Sequence, residues 1–222
     1  MDHPSPETTG HAPHPGPVTA DDVALAVALS ARTLAQAPDE DWDRPAGDLD
    51  WSRWETTEHL ADDLFAYALQ IGPATPPLTT HVPASWRRER PGGPASTVFV
   101  AREEGRDGLL QVLEACGALL VAMVRSTPPT VRAHHVHGVS DPEGFGAMGV
   151  VETLVHTHDV ATGFGLPWQP PADLCARALH RLFPGAPTDA APWPVLLWST
   201  GRAELPGRAR PAEWRWYGEP RG

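Results

Sequence analysis

At 222 residues, 41% hydrophobic and 20% charged, the chain can build one ordinary globular core with a small appendix. A net charge of −11 excludes nucleic acid as a main partner and disfavours docking on an anionic membrane, because both need a basic surface. No run of about 18 apolar residues is present, so no membrane-spanning helix is expected. With only two cysteines, Cys116 and Cys175, a disulfide framework is excluded and a reducing, cytoplasmic compartment is expected. Every basic residue is Arg, with no Lys, no Asn and one Ile. That pattern follows GC-rich codon usage and carries no functional message.

Residues 1–17, rich in Pro, His and Gly without a basic or apolar block, are expected to be a disordered leader and not a signal peptide. A first helix is predicted over 18–37. Thr19 is a plausible N-cap with Asp22 three residues on, and Val23, Val27, Ser30, Ala31 and Leu34 form an apolar stripe with one polar break. A second helix begins at Ser52, whose hydroxyl can form a capping box with Glu55, and runs to Gly72 as a C′ residue. Residues 73–105 read as a long connection with an extended stretch at 96–101. The strongly apolar third helix spans 107–126 and is stopped by Pro128 and Pro129. Residues 131–146 read as irregular, ending in the turn-like SDPEGFG. A fourth helix covers 147–163, a fifth 171–183, and a short sixth 193–200. The closing WRWYG is expected to be one strand or a packed tail.

The fourth helix carries the chemistry. Glu152 and His156 are four apart, so both project from one face and can chelate one divalent ion. Zinc accepts such N and O ligands, and three protein ligands with one open position is its catalytic pattern. His59, on the second helix beside Glu58, Asp62 and Asp63, becomes a third ligand if the two helices face each other. The spacing alone leaves open a solvated polar stripe. Asp159, three beyond His156, can orient that imidazole or a water, whereas His158 should point about 200° away from it. His134, His135 and His137 read as a solvated connector, with the pocket mouth as the alternative. Cys116 and Cys175 sit in apolar helices and read as core residues. Arg202, Arg208 and Arg210 read either as contacts for an anionic ligand or as a tail neutralising an acidic body. No nucleophile elbow and no phosphate-binding glycine loop is present.

Three segments, WSRWETTEHLADDL, GVSDPEGFGAM and VVETLVHTHDVATGFGLPW, resemble the DinB-like superfamily, in the branch named for the metal-binding domain of mycothiol-dependent maleylpyruvate isomerase. LLWSTGRAELPG and WRWYG resemble its actinobacterial members. The resemblance implies an all-α, up-down four-helix bundle over 18–165 with a helical and irregular extension over 166–222. It also implies a metal held by His59, Glu152 and His156, most simply Zn2+. The implied activity is that of a mycothiol-type thiol-dependent isomerase or S-transferase acting on a small electrophilic metabolite, with a homodimer as a candidate assembly. Only about 55 residues follow the fourth helix, where the isomerase carries a substantial second domain, so the expected reaction is a relative of that isomerisation. Two alternatives stand beside it. One is a metal-dependent hydrolase with Asp159 or Glu58 as base. The other is a non-enzymatic bundle that binds a small ligand.

Overall fold

The computed structural model describes residues 15–220, so the expected leader falls largely outside the described residues. Six α-helices are present: α1 (Ala20–Leu34), α2 (Arg53–Ile71), α3 (Gly105–Ser126), α4 (Pro142–Phe164), α5 (Ala172–Leu182) and α6 (Pro192–Ser199). Among the described residues, β structure is confined to isolated bridges such as Arg87 with Ser96. The all-helical expectation therefore holds. Both capping boxes form: Thr19 and Asp22 close the first turn of α1, and Ser52 and Glu55 that of α2. Gly72 ends α2 but with φ −73°, so its left-handed freedom is unused. That role falls to Gly165, which closes α4 at φ +71°.

The start of α4 corrects the sequence reading. SDPEGFG is not the end of an irregular loop but the first turns of the helix. Asp141 accepts from the Gly144 amide at 2.8 Å, and Pro142 occupies the position where a missing N–H costs nothing. Glycines that look like turn residues are there for packing. A Cβ on Gly149 would lie 2.4 Å from Leu120 Cδ2, and one on Gly144 would meet Ser140 Oγ at 2.0 Å.

Helices α1 to α4 form the bundle, with α1 and α2 each packed against both α3 and α4. Asp21 of α1 pairs with Arg125 at the end of α3, so α1 and α3 run in opposite directions. Arg53 at the start of α2 donates to the Gly163 carbonyl at the end of α4, and Tyr67 near the end of α2 meets Phe145 near the start of α4. Helices α2 and α4 are therefore antiparallel, and α2 and α3 run in the same direction. The order is up, down, down, up. Residues 73–104 must consequently travel back along α2, which explains their length. Two α2 carboxylates hold the returning strap. Asp62 Oδ1 accepts from the Thr97 and Val98 amides at 2.7 and 2.8 Å, and Glu58 Oε1 from the Val100 amide at 2.7 Å.

Leu109, Leu113 and Leu120 of α3, Leu60 and Leu64 of α2, and Val151, Leu154 and Val155 of α4 fill the core. The polar break in the α1 stripe, Ser30, is buried and meets Thr157 Oγ1 of α4 at 2.6 Å. Segment Arg102–Ser126 is long and apolar enough to cross a membrane by composition, yet it packs between α1 and α2. Helix α5 packs on α4 and α6 on α5. The tail closes over them: Trp216 is buried, and the Tyr217 and Gly218 amides donate to Leu182 and His137 carbonyls. The WRWYG segment is thus a packed tail.

Candidate metal centre

The EHLADD run on α2 separates into two faces because neighbouring helical residues are about 100° apart. Glu58 and Asp62, four apart, face the returning strap. His59 and Asp63, also four apart, face α4. There Glu152 and His156 repeat the same spacing on a helix running the other way. His59, Asp63 and His156 each offer a ligand atom within 4.8 Å of the others. Asp63 Oδ2 lies 3.4 Å from His59 Nε2, and Glu152 Oε2 lies 3.2 Å from His156 Nε2. The two imidazole centroids are 5.5 Å apart. Two nitrogens and one of the two carboxylates, drawn from facing helices, suit a zinc-like ion with three protein ligands and room for one more group.

Buried polar atoms support that fit. Among the described residues, His59 Nδ1 and Asp63 Oδ2 have no hydrogen-bond partner, which is costly in a protein interior unless something else satisfies the group. The protonation pattern agrees. Burial, with the charge of His156, pushes His59 down to about 4, so it presents a neutral ring. Burial and the Glu152 charge hold the Asp63 carboxyl well above its usual range. Burial alone would depress His156, but Asp159 and Glu152 together outweigh it and push the imidazole up to about 9. Without a cation, the cluster thus keeps a proton on His156 and disfavours the ionised form of Asp63. Tyr67, its hydroxyl 3.5 Å from Glu152 Oε1, is held well above its usual range by burial and by that carboxylate.

Behind His156, Asp159 Oδ2 lies 3.2 Å from Nδ1, an ion-pair contact outside hydrogen-bond alignment. Arg202 grips the same carboxylate, with Nη2 at 2.9 Å from Oδ2 and Nε at 3.4 Å from Oδ1. Burial opposes ionisation of Asp159, but His156 and Arg202 hold its carboxyl below the usual range. A cavity of about 250 Å³ borders this pair, lined also by Asp48, His158, Arg210 and Trp214. Trp51 lies edge-on to His59 with centroids 4.8 Å apart, and its indole donates to the Gly92 carbonyl at 2.9 Å.

The structure brings His59, Glu152, His156 and Asp159 together. It places the other candidates elsewhere. Glu58 is buried, accepting from the Trp54 indole at 3.3 Å and from the Val100 amide, on the strap side of α2. His158 packs on Trp193, centroids 5.6 Å apart, away from the cluster. His135 corrects the solvated-connector reading: it is 8% exposed and packs against Tyr67, Phe145 and Trp216. Arg208 and Arg210 pair with Asp189 and Asp48, the neutralising role. Cys116 and Cys175 are buried, and burial pushes their thiols up to about 11 and about 12. Sequence reading had Asp63 only as a flanking residue. Its signal was available, since His59 and Asp63 share the four-residue spacing that singled out Glu152 and His156.

The sequence model of one family, described as the mycothiol maleylpyruvate isomerase N-terminal domain, matches residues 23–161. Two solved structures are similar. One, described as the mycothiol-dependent maleylpyruvate isomerase, aligns over 86% of this chain and 95% of its own, with 13% identity and a TM-score of 0.56. The other, described as a mutant of that isomerase, aligns over 71% of this chain and 65% of its own, with 14% identity and a TM-score of 0.50. At these identities the likeness concerns the fold. No curated protein sequence matches the chain.

Proposed function

The chain belongs to the family of the mycothiol maleylpyruvate isomerase N-terminal domain, and on that premise we propose that it is a metal-dependent enzyme using a mycothiol-type thiol cosubstrate. Its reaction is isomerisation or S-transfer on a small electrophilic metabolite, and its compartment is the cytoplasm. The observation that carries the reading is the convergence of His59, Asp63 and His156 within 4.8 Å, with Glu152 against His156. His59, Glu152 and His156 are the proposed ligands, with Asp63 as the residue that competes for or completes the set. Zn2+ suits this donor chemistry. Such an ion, when bound, would supply the Lewis acidity that keeps a thiol as thiolate at neutral pH.

The chain's own residues do the remaining work. His59 presents a neutral ring because burial keeps the proton off it. Asp159 stands against His156 Nδ1 as a charged contact at 3.2 Å and favours the ring orientation that turns Nε2 toward Glu152. Trp51 covers one side of His59 and limits water there. No thiol of the chain can serve as the nucleophile at neutral pH, because both cysteines are buried with raised thiols. That supports a thiol brought by the cosubstrate. A hydrolase would need a base beside the site, and both residues nominated for that role are already engaged, Glu58 by the strap and Asp159 by Arg202. The alignment over 86% of this chain reaches beyond the 139 residues of the family match (23–161), so the 166–222 extension is proposed as part of one unit with the bundle.

The test is metal analysis of untagged protein together with turnover of an electrophile panel, with and without a low-molecular-weight thiol. We expect about one metal per chain, lost in His59→Ala and His156→Ala, and turnover only with thiol. Equal turnover without thiol would overturn the thiol assignment. No metal uptake, with unchanged stability in both variants, would overturn the metal assignment.

A further inference from the structure

The extension over 166–222 reaches the candidate centre through Arg202. At the C-terminal end of α6, Gly201 adopts φ +68° and turns the chain so that the Arg202 amide donates to the Leu197 carbonyl at 2.7 Å. Arg202 Nη1 donates to the Thr200 carbonyl at 3.0 Å, and its guanidinium lies 5.9 Å from the centre of the Trp214 ring. The remaining guanidinium edge takes both oxygens of Asp159. The side chains are 13% and 6% exposed, so the pair is largely shielded from water. Asp159 in turn stands 3.2 Å from His156 Nδ1.

A planar guanidinium gripping both carboxylate oxygens fixes the plane of that carboxylate as well as its charge. A carboxylate so fixed determines which imidazole nitrogen carries the proton and how the ring is turned. Glu152 and His156 ride on one helix, but that spacing alone does not set which ring nitrogen faces Glu152. We infer that Arg202 is a positioning residue for the metal centre: it locks Asp159, Asp159 locks His156 with Nε2 toward Glu152, and the C-terminal extension thereby completes a site built on the bundle. The inference rests on the metal reading above.

The experiment measures Zn2+ and Co2+ affinity by competition with a chromophoric chelator, and the Co2+ absorption spectrum. It is paired with the imidazole 15N signals of His156 in metal-free protein above pH 9, where the ring is neutral and has a tautomer to report. Removing such an outer carboxylate or its support weakens metal binding by about 10–100-fold. Asp159→Ala is expected within that range and Arg202→Met near its lower end, with an altered Co2+ spectrum and a mixed His156 tautomer. Arg202→Lys keeps the charge without the fork and should recover only part of the affinity. Arg208→Ala, on the same tail but paired with Asp189, should bind metal like the parent. Wild-type affinity, spectrum and tautomer in Arg202→Met would overturn the inference, leaving Arg202 as a tether for the tail. If the parent takes up no stoichiometric metal, the metal reading fails. The positioning role then stands or falls on whether Arg202→Met changes the His156 tautomer.

Discussion

Asp62 and Asp63 are neighbours in sequence, both with carboxyls raised above the usual range chiefly by burial, yet their replacement by alanine should act in opposite directions. Asp62 Oδ1 is the acceptor for two strap amides, Thr97 and Val98. Hydrogen bonds to a charged group contribute about 1.5–3 kcal/mol each, and an amide left buried without a partner costs about 1–3 kcal/mol. Some of that is offset by relieving the desolvated carboxylate and by water reaching the partly buried strap. Asp62→Ala should therefore lose about 2–4 kcal/mol in urea unfolding, and Asp62→Asn, which keeps an acceptor oxygen, about 1 kcal/mol. Asp63 accepts no hydrogen bond at its buried Oδ2, and its neighbour Glu152 raises the cost of ionising it. In the metal-free protein Asp63→Ala should be neutral or stabilising by about 1 kcal/mol, as expected where a polar group is kept for function against stability. Titration with Zn2+ should reverse the ranking: Asp62→Ala keeps parental stoichiometry, while Asp63→Ala binds more weakly. The reasoning is refuted if metal-free Asp63→Ala is destabilised as much as Asp62→Ala, since the two faces of α2 would then not be doing different jobs.

Three further outcomes follow from the same geometry. His135 is depressed to about 4, first by burial and then by the charge of His137. It is neutral in the fold, while the unfolded chain takes up a proton near 6.5. Its share of stability is complete above pH 6.5 and is lost as pH falls from there toward 4, so His135→Phe should flatten the urea-unfolding free energy across that window by up to about 1.4 kcal/mol per pH unit; an unchanged slope would count against it. Gly149→Ala places a methyl 2.4 Å from Leu120 Cδ2 and 3.2 Å from Leu64 Cδ2 and should lower stability by about 1–3 kcal/mol through overpacking; a variant as stable as the parent in thermal melts would show that the α3–α4 contact yields freely. Native protein treated with iodoacetamide at pH 8 should show no labelling of Cys116 or Cys175 by mass spectrometry until denaturant is added, and rapid native labelling would reopen a nucleophilic role for the chain's own thiols.

The helices were legible because their signals are local. Thr19 with Asp22 and Ser52 with Glu55 are three residues apart, and the apolar stripes of α1 and α3 need only one helix to be seen. The beginning of α4 was misread because Asp-Pro-Glu-Gly serves turns and helix starts alike, and three glycines argue against a helix interior. The reason at Gly144 and Gly149, close approach of Ser140 and Leu120, exists only once neighbouring elements are packed. Glu152 and His156 were readable from spacing, whereas His59 required knowing that α2 faces α4. Asp63 stood among four acidic or imidazole side chains whose faces separate only when the helix is placed. Arg202 could not be assigned at all, because its partner Asp159 is 43 residues away and the link runs through a turn at the end of α6.

The parallel course of α2 and α3 also bears on how the site comes into being. No hairpin of consecutive helices creates it: His59 and His156 are 97 positions apart (156 − 59), and bringing such distant points together costs about 4 kcal/mol of loop-closure entropy. Of the assembled set, an unfolded chain can offer an ion only the local Glu152 and His156 pair or the local His59 and Asp63 pair, each far weaker than the whole. Contacts of this sequence separation place the molecule toward the slower end for helical proteins. Metal capture is then a late event that follows collapse, and added ion should slow unfolding more than it speeds refolding.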